Sequence, residues 1–419
     1  MTRAVSAKPM GLPHAVFLQR VTDEPATSPE VRLGQGAFLA LRFVDLLSPD
    51  REAPAPDVFR YQWAATERYC SELAGEGTEA AHLAGIVRAT SEAHRTDDVR
   101  ALAPALLAYA LYLEQEVHFD EAEDVLLTLV RVGGARLAAS DATAAWMRVG
   151  RVRRLETDFD GAAAAYTEAG RIAAAAGDRR SVLLSRIGLC NVLHFRGNLG
   201  EAEEGWRSVL ADSTAGGFVS VQAQAEHGLG SILHRRGQAH EAAPHLWRAY
   251  ELYEDDGALR ALGDLGNLML ALGDIVGAER ALNEVVRRAT LPDLMANAKI
   301  ELMHCASFRR DRVGFERWRE RALDHVEDTL PHIRADYHLK VGIGLARFGN
   351  YGKADAQIQQ ALEIATAHGL HDAIFGMERI KSGLRECEAL DHVENPAAEP
   401  VAWTEQLREV SASLAALSA

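Results

Sequence analysis

The sequence has few aromatic residues and few cysteines. Only 6% of its 419 residues are aromatic and four are cysteine. The cysteines are far apart along the chain, at Cys70, Cys190, Cys305 and Cys387. Because none forms a CxxC pair, the sequence indicates neither a zinc knuckle nor a redox motif, and reduced cytosolic thiols are the simplest interpretation.

Positive charge and long apolar runs are also scarce. The formal net charge is −15 and the isoelectric point is near 5.5. Since phosphate contacts need a positive surface, this balance argues against direct binding of nucleic acid. No apolar stretch has the length of a signal peptide core or a membrane span. We therefore predict a cytoplasmic protein that does not act at a membrane.

Motifs for catalysis or metal binding are missing as well. The run His240-Glu241-Ala242-Ala243-Pro244-His245 places its second histidine one residue too late for HExxH, about 100° further round a helix. The sequence contains no P-loop, no Ser-His-Asp signature and no GxGxxG motif that opens a helix. We predict no enzyme activity, no metal site and no cofactor; an enzyme built on a helical scaffold remains a minor alternative.

The chain does contain a regular repeat of small residues. Ala, Leu, Glu and Arg abound without β-branched runs, which favours helix throughout. A motif of an aromatic or aliphatic residue, two variable residues and a small residue recurs at spacings of 40, 40, 40, 36, 37 and 39. Its last positions are Ala122, Ala162, Ala202, Ala242, Ala278, Phe315 and Ala354.

A second small position precedes each of these by about 12 residues. These positions are Ala110, Gly150, Cys190, Gly230, Gly266, Met303 and Gly342. A small side chain on the first helix lets an antiparallel second helix approach closely, and we expect the alanine of the second helix to fit into that gap. The pattern therefore predicts a stack of helix pairs. The sixth pair departs from it with Met303 and Phe315, which predicts a looser or bent junction there.

Two segments carry a family resemblance. Gly188–Trp206 (GLCNVLHFRGNLGEAEEGW) and Leu262–Leu282 (LGDLGNLMLALGDIVGAERAL) resemble tetratricopeptide repeats (TPRs), in particular the bacterial subfamily with repeats of about 40 residues. The resemblance implies an all-α protein: a right-handed α-solenoid superhelix of about seven TPR-like helix pairs over residues 103–370, with helical N- and C-terminal caps. It further implies a scaffold, adaptor or regulator that binds a polypeptide in a concave groove.

The flanking regions complete the predicted organisation. We expect a flexible segment over 1–27, then N-terminal helices and a degenerate leading repeat over 28–100, beginning at Ser28-Pro29-Glu30. After the repeats come a capping helix over 371–392, a linker over 393–402 and an amphipathic helix over 403–419. The last helix carries a heptad-like stripe of Trp403, Leu407, Val410, Leu414 and Leu417. It either docks on the chain's own solenoid or mediates a homodimer or partner contact.

The family register assigns particular first-helix positions to the groove. They carry Arg148, Arg151, Asn191, His194, His227, Ser231, His234, Arg260, Asp264, Asn267, Asn297, Glu301, His304, Asp336 and Lys340. Asn191 and Asn267 are the favoured peptide ligands, because an asparagine side chain can bond both N–H and C=O of an extended backbone. The histidines raise the hypothesis of pH-sensitive binding.

Two alternatives stay open for this groove. The polar positions could simply be a hydrated face, or they could sense a small peptide or metabolite that changes the shape of the superhelix. Arginines also recur where the first helices end (Arg153, Arg154, Arg196, Arg235, Arg236, Arg309, Arg310 and Arg347). They either complement the helix dipole or form a basic edge for an acidic peptide.

Overall fold

The computed structural model describes residues 12–20, 28–50, 55–327, 329–389 and 403–417. Over these ranges the chain consists of helices and connecting turns, without a β-strand. It divides into two compact units, residues 1–201 and 202–419. The all-α prediction is confirmed.

The first unit begins with a short 3-10 helix, Ala15–Leu18. Its α-helices are α1 (Pro29–Val44), α2 (Pro56–Glu72), α3 (Thr78–Thr96), α4 (Leu102–Gln115), α5 (Phe119–Gly133), α6 (Ala139–Leu155), α7 (Phe159–Ala175) and α8 (Arg179–Arg196). Further 3-10 helices follow α1, α3 and α5, at Asp45–Leu47, Val99–Ala101 and Gly134–Arg136 respectively. Helix α9 (Leu199–Gly216) begins at the boundary of the units.

The second unit continues the succession of helices. They are α10 (Val219–Arg235), α11 (Ala239–Leu252), α12 (Asp256–Ala271), α13 (Ile275–Arg288), α14 (Pro292–Phe308), α15 (Arg312–Val326), α16 (Pro331–Arg347), α17 (Tyr351–Ala367), α18 (His371–Ala389) and α19 (Glu405–Ala416). Consecutive helices of a repeat pack against each other, as α10 does with α11 and α16 with α17.

Side-chain caps fix where many of these helices begin. Ser28 Oγ accepts a hydrogen bond of 3.2 Å from Val31 N at the start of α1, as the sequence predicts. Asp274 Oδ1 accepts one of 2.9 Å from Gly277 N at the start of α13. Such caps satisfy backbone N–H groups that have no partner within the helix.

The repeat interlocks through its small residues, with one correction to the predicted contact. The alanine positions and Phe315 are fully buried. However, the side chain that enters the gap stands four residues after the alanine. A Cβ added at Gly150 would lie 2.8 Å from the Tyr166 ring, and one at Gly266 would lie 2.9 Å from Leu282 Cγ. One turn of helix brings this larger side chain onto the same face as the alanine.

The sixth pair is well packed at its unusual residues. Met303 and Phe315 are both 0% exposed, so the predicted looseness is wrong at these positions. Gly344 of the next repeat makes room for the aromatic ring, because a Cβ there would lie only 2.2 Å from Phe315 Cε2. The extra volume on one helix is matched by a missing side chain on another.

The termini differ from expectation in part. Residues 12–20, predicted to belong to a flexible segment, contain the first 3-10 helix and bury Phe17 completely; long-range ion pairs hold them, as shown below. Residues 1–11, 21–27 and the predicted linker 393–402 lie outside the described residues. Helix α19 packs against α11 and α13, and its Leu407, Val410 and Leu414 are buried.

Candidate functional site

The second unit presents the first helices of its four repeats side by side. Helix α12 contacts α10 and α14, and α14 contacts α16. We call the surface formed by α10, α12, α14 and α16 the first-helix face. Equivalent positions of α12, α14 and α16, each two residues before the small position, carry Asp264, Glu301 and Lys340.

A buried charge cluster joins α14 to α16. Lys340 Nζ donates to Asp336 Oδ2 at 2.7 Å and also to Glu301. Glu301 is 8% exposed, and burial raises its pKa, while Lys340 acts in the opposite direction. Burial lowers the pKa of Lys340, but the two carboxylates outweigh it and the net change is upward. Lys340 is therefore an ammonium group that holds two carboxylates together.

Two buried polar atoms of the first-helix face lack hydrogen-bond partners. Asn267 on α12 and His304 on α14 occupy equivalent positions, one residue after the small position. Asn267 Oδ1 and His304 Nδ1 are buried, and neither has a partner among the described residues. Burial lowers the pKa of His304 to about 2, and the nearby cations Lys340 and Arg347 add to this. The imidazole is thus neutral at physiological pH, so one of its ring nitrogens is an acceptor.

The neighbouring α10 and α12 contribute a histidine–carboxylate pair. His227 Nε2 lies 2.8 Å from Asp264 Oδ2, and Ser231 Oγ donates to the His227 carbonyl at 3.0 Å. Burial lowers the pKa of His234 at the end of α10. Arg260 on α12, and likewise Asn297 on α14, is exposed.

The predicted residues in the first unit are arranged differently. Arg148 Nη1 lies 2.8 Å from Glu114 Oε1, and Arg151 Nε lies 3.2 Å from Glu114 Oε2. Both arginines are thereby engaged with the same buried carboxylate at the end of α4. Asn191 and His194 are half-buried on α8, and the His194 ring stacks on Phe195 with 5.4 Å between centroids.

The recurring arginines at the ends of first helices have a role that neither sequence interpretation foresaw. Arg153 Nε lies 2.7 Å from Glu123 Oε1 on α5, and Arg309 Nη1 lies 2.9 Å from Glu279 Oε2 on α13. Arg236 pairs in the same way with Glu203 of α9. Each of these three arginines therefore ties its helix to the second helix of the preceding repeat, a contact of about 0.2–1 kcal/mol for an exposed pair.

An aromatic contact that was not predicted from the sequence lies at the end of the first-helix face. The Arg347 guanidinium lies 3.5 Å from the centroid of the Phe308 ring, and its Nη1 donates to Ser307 Oγ at 2.6 Å. The sequence did carry a signal for this contact. Arg347 stands five residues after the small position of its repeat, and Phe308 stands at the same place in the preceding repeat.

The described residues show no feature of a metal site or of a membrane span. In the described ranges, no group of three His, Cys, Asp or Glu side chains could hold a metal ion. His245, from the near-miss HExxH run, instead has its Nδ1 2.6 Å from Glu226 Oε2. None of the described helices combines the length and apolarity needed to span a bilayer.

The chain resembles solved structures of helical repeat proteins at low sequence identity. Apo RapI is 11% identical, with 63% of this chain and 97% of that chain covered and a TM-score of 0.51. Aspartyl phosphate phosphatase F from Bacillus subtilis is 10% identical, with coverage of 87% and 96% and a TM-score of 0.51. The Rap conjugation gene regulator of plasmid pLS20, solved with its Phr* peptide, is 11% identical, with coverage of 85% and 99% and a TM-score of 0.49.

The likenesses to apo RapI and to aspartyl phosphate phosphatase F show the fold. At 10–11% identity they establish a TPR-like helical repeat and confirm that part of the prediction, but they assign no activity, because one fold hosts many functions. No protein-family model matches the chain, and no curated protein matches it significantly.

Proposed function

We propose that the chain is a TPR-like regulator or adaptor that binds a polypeptide on the first-helix face of its second unit. The observation that carries the proposal is the pair of buried, unpartnered atoms Asn267 Oδ1 and His304 Nδ1. A buried polar atom without a hydrogen bond costs about 1–3 kcal/mol. Two such atoms at equivalent positions on adjacent helices form a repeated acceptor pattern.

An extended polypeptide has the matching chemistry. Its backbone presents N–H donors at regular intervals. Asp264, one turn before Asn267 on α12, is paired with His227, and Lys340 is held by Glu301 and Asp336, so neither charge is available to the ligand. The proposed ligand therefore bonds Asn267 and His304 through its backbone. Arg148 and Arg151 are left out of this site, because Glu114 already engages them.

Binding rather than catalysis is the proposed activity, in the cytoplasm and without direct contact to nucleic acid or membrane. The net charge of −15 opposes binding to phosphate backbones. We do not extend the proposal to a homodimer through the C-terminal helix. Its apolar residues Leu407, Val410 and Leu414 are buried against α11 and α13 of the same chain.

Selection from a random peptide library on the immobilised full-length chain tests this proposal. We expect enriched peptides whose affinity falls at least tenfold in the double variant N267A/H304A. The matched control is Arg248→Ala, which alters an exposed residue of the second helix α11 and should leave affinity unchanged. The truncations remove unsatisfied polar atoms but also side-chain volume, so thermal unfolding must show that N267A/H304A is still folded at the assay temperature.

The two readouts together decide the matter. Loss of peptide affinity in folded N267A/H304A supports a binding face, whereas unchanged affinity in this variant would refute it. If a short peptide binds and the chain then shows altered hydrogen exchange in α12, α14 and α16, the sensor version of the proposal is favoured over the scaffold version.

A further inference from the structure

A nine-residue segment of the first unit packs against the neighbouring helices through three of its side chains. In residues 12–20, three side chains at three-residue spacing point inward: His14, Phe17 and Arg20. The segment includes the 3-10 helix Ala15–Leu18, and a 3-10 helix brings residues i and i+3 onto the same face. His14 is 3% exposed and Phe17 is 0% exposed.

The first contact is made by His14. Its Nδ1 lies 2.5 Å from Asp124 Oδ2 on α5, and its Nε2 lies 3.4 Å from Asp45 Oδ2 just after α1. Asp45 is itself fully buried and accepts from Arg131 at 2.5 Å. His14 has a left-handed backbone with φ of 64°, a conformation that is uncommon for a residue other than glycine.

The second contact is made by Phe17. Its ring stacks on Tyr109 of α4 with 6.3 Å between centroids. Its carbonyl oxygen lies so close to α1 that a Cβ added at Gly34 would be 2.6 Å from it. The backbone of the segment therefore approaches a helix at a point where only glycine leaves room.

The third contact is made by Arg20. Its Nε donates to Glu121 Oε1 at 2.7 Å, and its Nη1 donates to Glu79 Oε2 at 3.0 Å. Glu79 and Glu121 are each 5% exposed, and Tyr109 donates to Glu79 Oε1 at 2.7 Å. Without Arg20, the segment would provide no cation to pair with these two buried carboxylates, and burying an unpaired carboxylate is costly.

Two cavities adjoin the segment. One cavity lies beside Gln19 and Arg20 and is bounded by residues 117–121. Another lies beside Pro13 and His14 and is bounded by Thr128 and Trp146. We call the depression that the segment occupies, with Asp45, Glu79, Glu121 and Asp124 as its carboxylates, the acidic slot.

We propose that the acidic slot is a second peptide-recognition site and that residues 12–20 are its intramolecular occupant. The slot recognises a short linear segment with a histidine, an aromatic residue and an arginine at three-residue spacing. A partner polypeptide that carries this pattern competes with the chain's own segment. Four carboxylates supply the charge complementarity, the ring of Tyr109 supplies the apolar contact, and the flanking cavities accommodate larger neighbouring side chains.

The test uses the full-length chain with a weakened occupant. In the double variant F17A/R20A we expect a fluorescent peptide of residues 12–20 (LPHAVFLQR) to bind at least tenfold more tightly than to the wild type, whose slot is filled. The peptide should also raise the melting temperature of F17A/R20A and leave that of the wild type unchanged. A control peptide with alanine in place of the phenylalanine and the arginine should bind neither protein.

A milder variant guards against loss of the folded state. R20K retains a cation but loses the two-pronged geometry of arginine, so it should stay folded and gain affinity for the peptide by a smaller factor. Arg95→Ala, which removes an exposed ion pair with Glu92, is the matched control and should behave as the wild type. If folded F17A/R20A or R20K binds the peptide no better than the wild type, or binds the control peptide equally well, the proposal is overturned.

Discussion

Replacing Lys340 with methionine is a stringent test of the charge cluster on the first-helix face. Methionine keeps an apolar stem but removes the ammonium group that bonds Glu301 and Asp336. Removal of one partner from a buried ion pair costs about 3–5 kcal/mol of folding free energy. The Asp336 side chain is 34% exposed and can turn toward water, whereas that of Glu301 is 11% exposed. We therefore expect the lower end, about 3 kcal/mol at pH 8.

The loss should shrink as pH falls. Burial already raises the pKa of Glu301, and without Lys340 nothing in the pair opposes that change. A carboxyl group whose pKa is higher in the folded state favours folding below its unfolded pKa and loses that contribution as pH rises through the folded pKa. In K340M, Glu301 should therefore take up a proton more readily as pH falls, so the loss of folding free energy should be smaller at pH 5 than at pH 8.

Urea unfolding followed by circular dichroism at pH 5 and pH 8 measures both values. The double variant E301Q/K340M removes the uncompensated charge, so it should recover most of the loss at pH 8 and abolish its pH dependence. D336N/K340M is the matched control and should recover little. An equal loss at both pH values, or rescue by D336N rather than E301Q, would refute this reasoning.

Three further predictions follow from other contacts. Gly266→Ala should destabilise the chain by about 1–3 kcal/mol through a clash with Leu282. Gly263→Ala should instead stabilise it by up to about 1 kcal/mol, because a Cβ there meets nothing within 4 Å and alanine favours helix over glycine. Thermal unfolding of the two variants distinguishes these outcomes. Val410→Asp should release α19 and speed its proteolysis, while Ala412→Asp at an exposed position should not. Because the pKa of His304 is about 2, peptide affinity should have the same profile between pH 6 and pH 8 in the wild type and in His304→Gln; a difference would show that His304 titrates.

The helix pairs could be predicted because their determinants are local and recur. Close helix packing requires a small residue such as Gly266 and a buried alanine such as Ala278, and the same requirement recurs in each repeat. The interlocking partner was harder to identify. It is Leu282, one turn beyond the alanine, because a helix covers a facing gap with side chains on the same stripe.

The candidate site could be predicted only in outline. Family register placed Asn267, Glu301 and His304 on one face, but register does not state which side chains already have partners. Arg148 stands at the same repeat position as Lys340, and each is engaged by a carboxylate of the preceding first helix, Glu114 and Glu301 respectively. Pairing of this kind depends on the neighbouring repeat, and it decides which polar groups remain available to a ligand.

The contacts of residues 12–20 illustrate what repeat periodicity leaves out. His14 and Asp124 are 110 positions apart, and Arg20 and Glu121 are 101 apart, so no local pattern links them. The segment occurs once in the chain and has no repeat to reveal it. Its three-residue spacing becomes informative only when the buried carboxylates of Asp45, Glu79 and Glu121 and the half-buried one of Asp124 are seen to converge on it. Because a buried carboxylate is costly without a cation, the acidic slot requires an occupant of this chemistry, either the chain's own segment or a competitor with the same side chains.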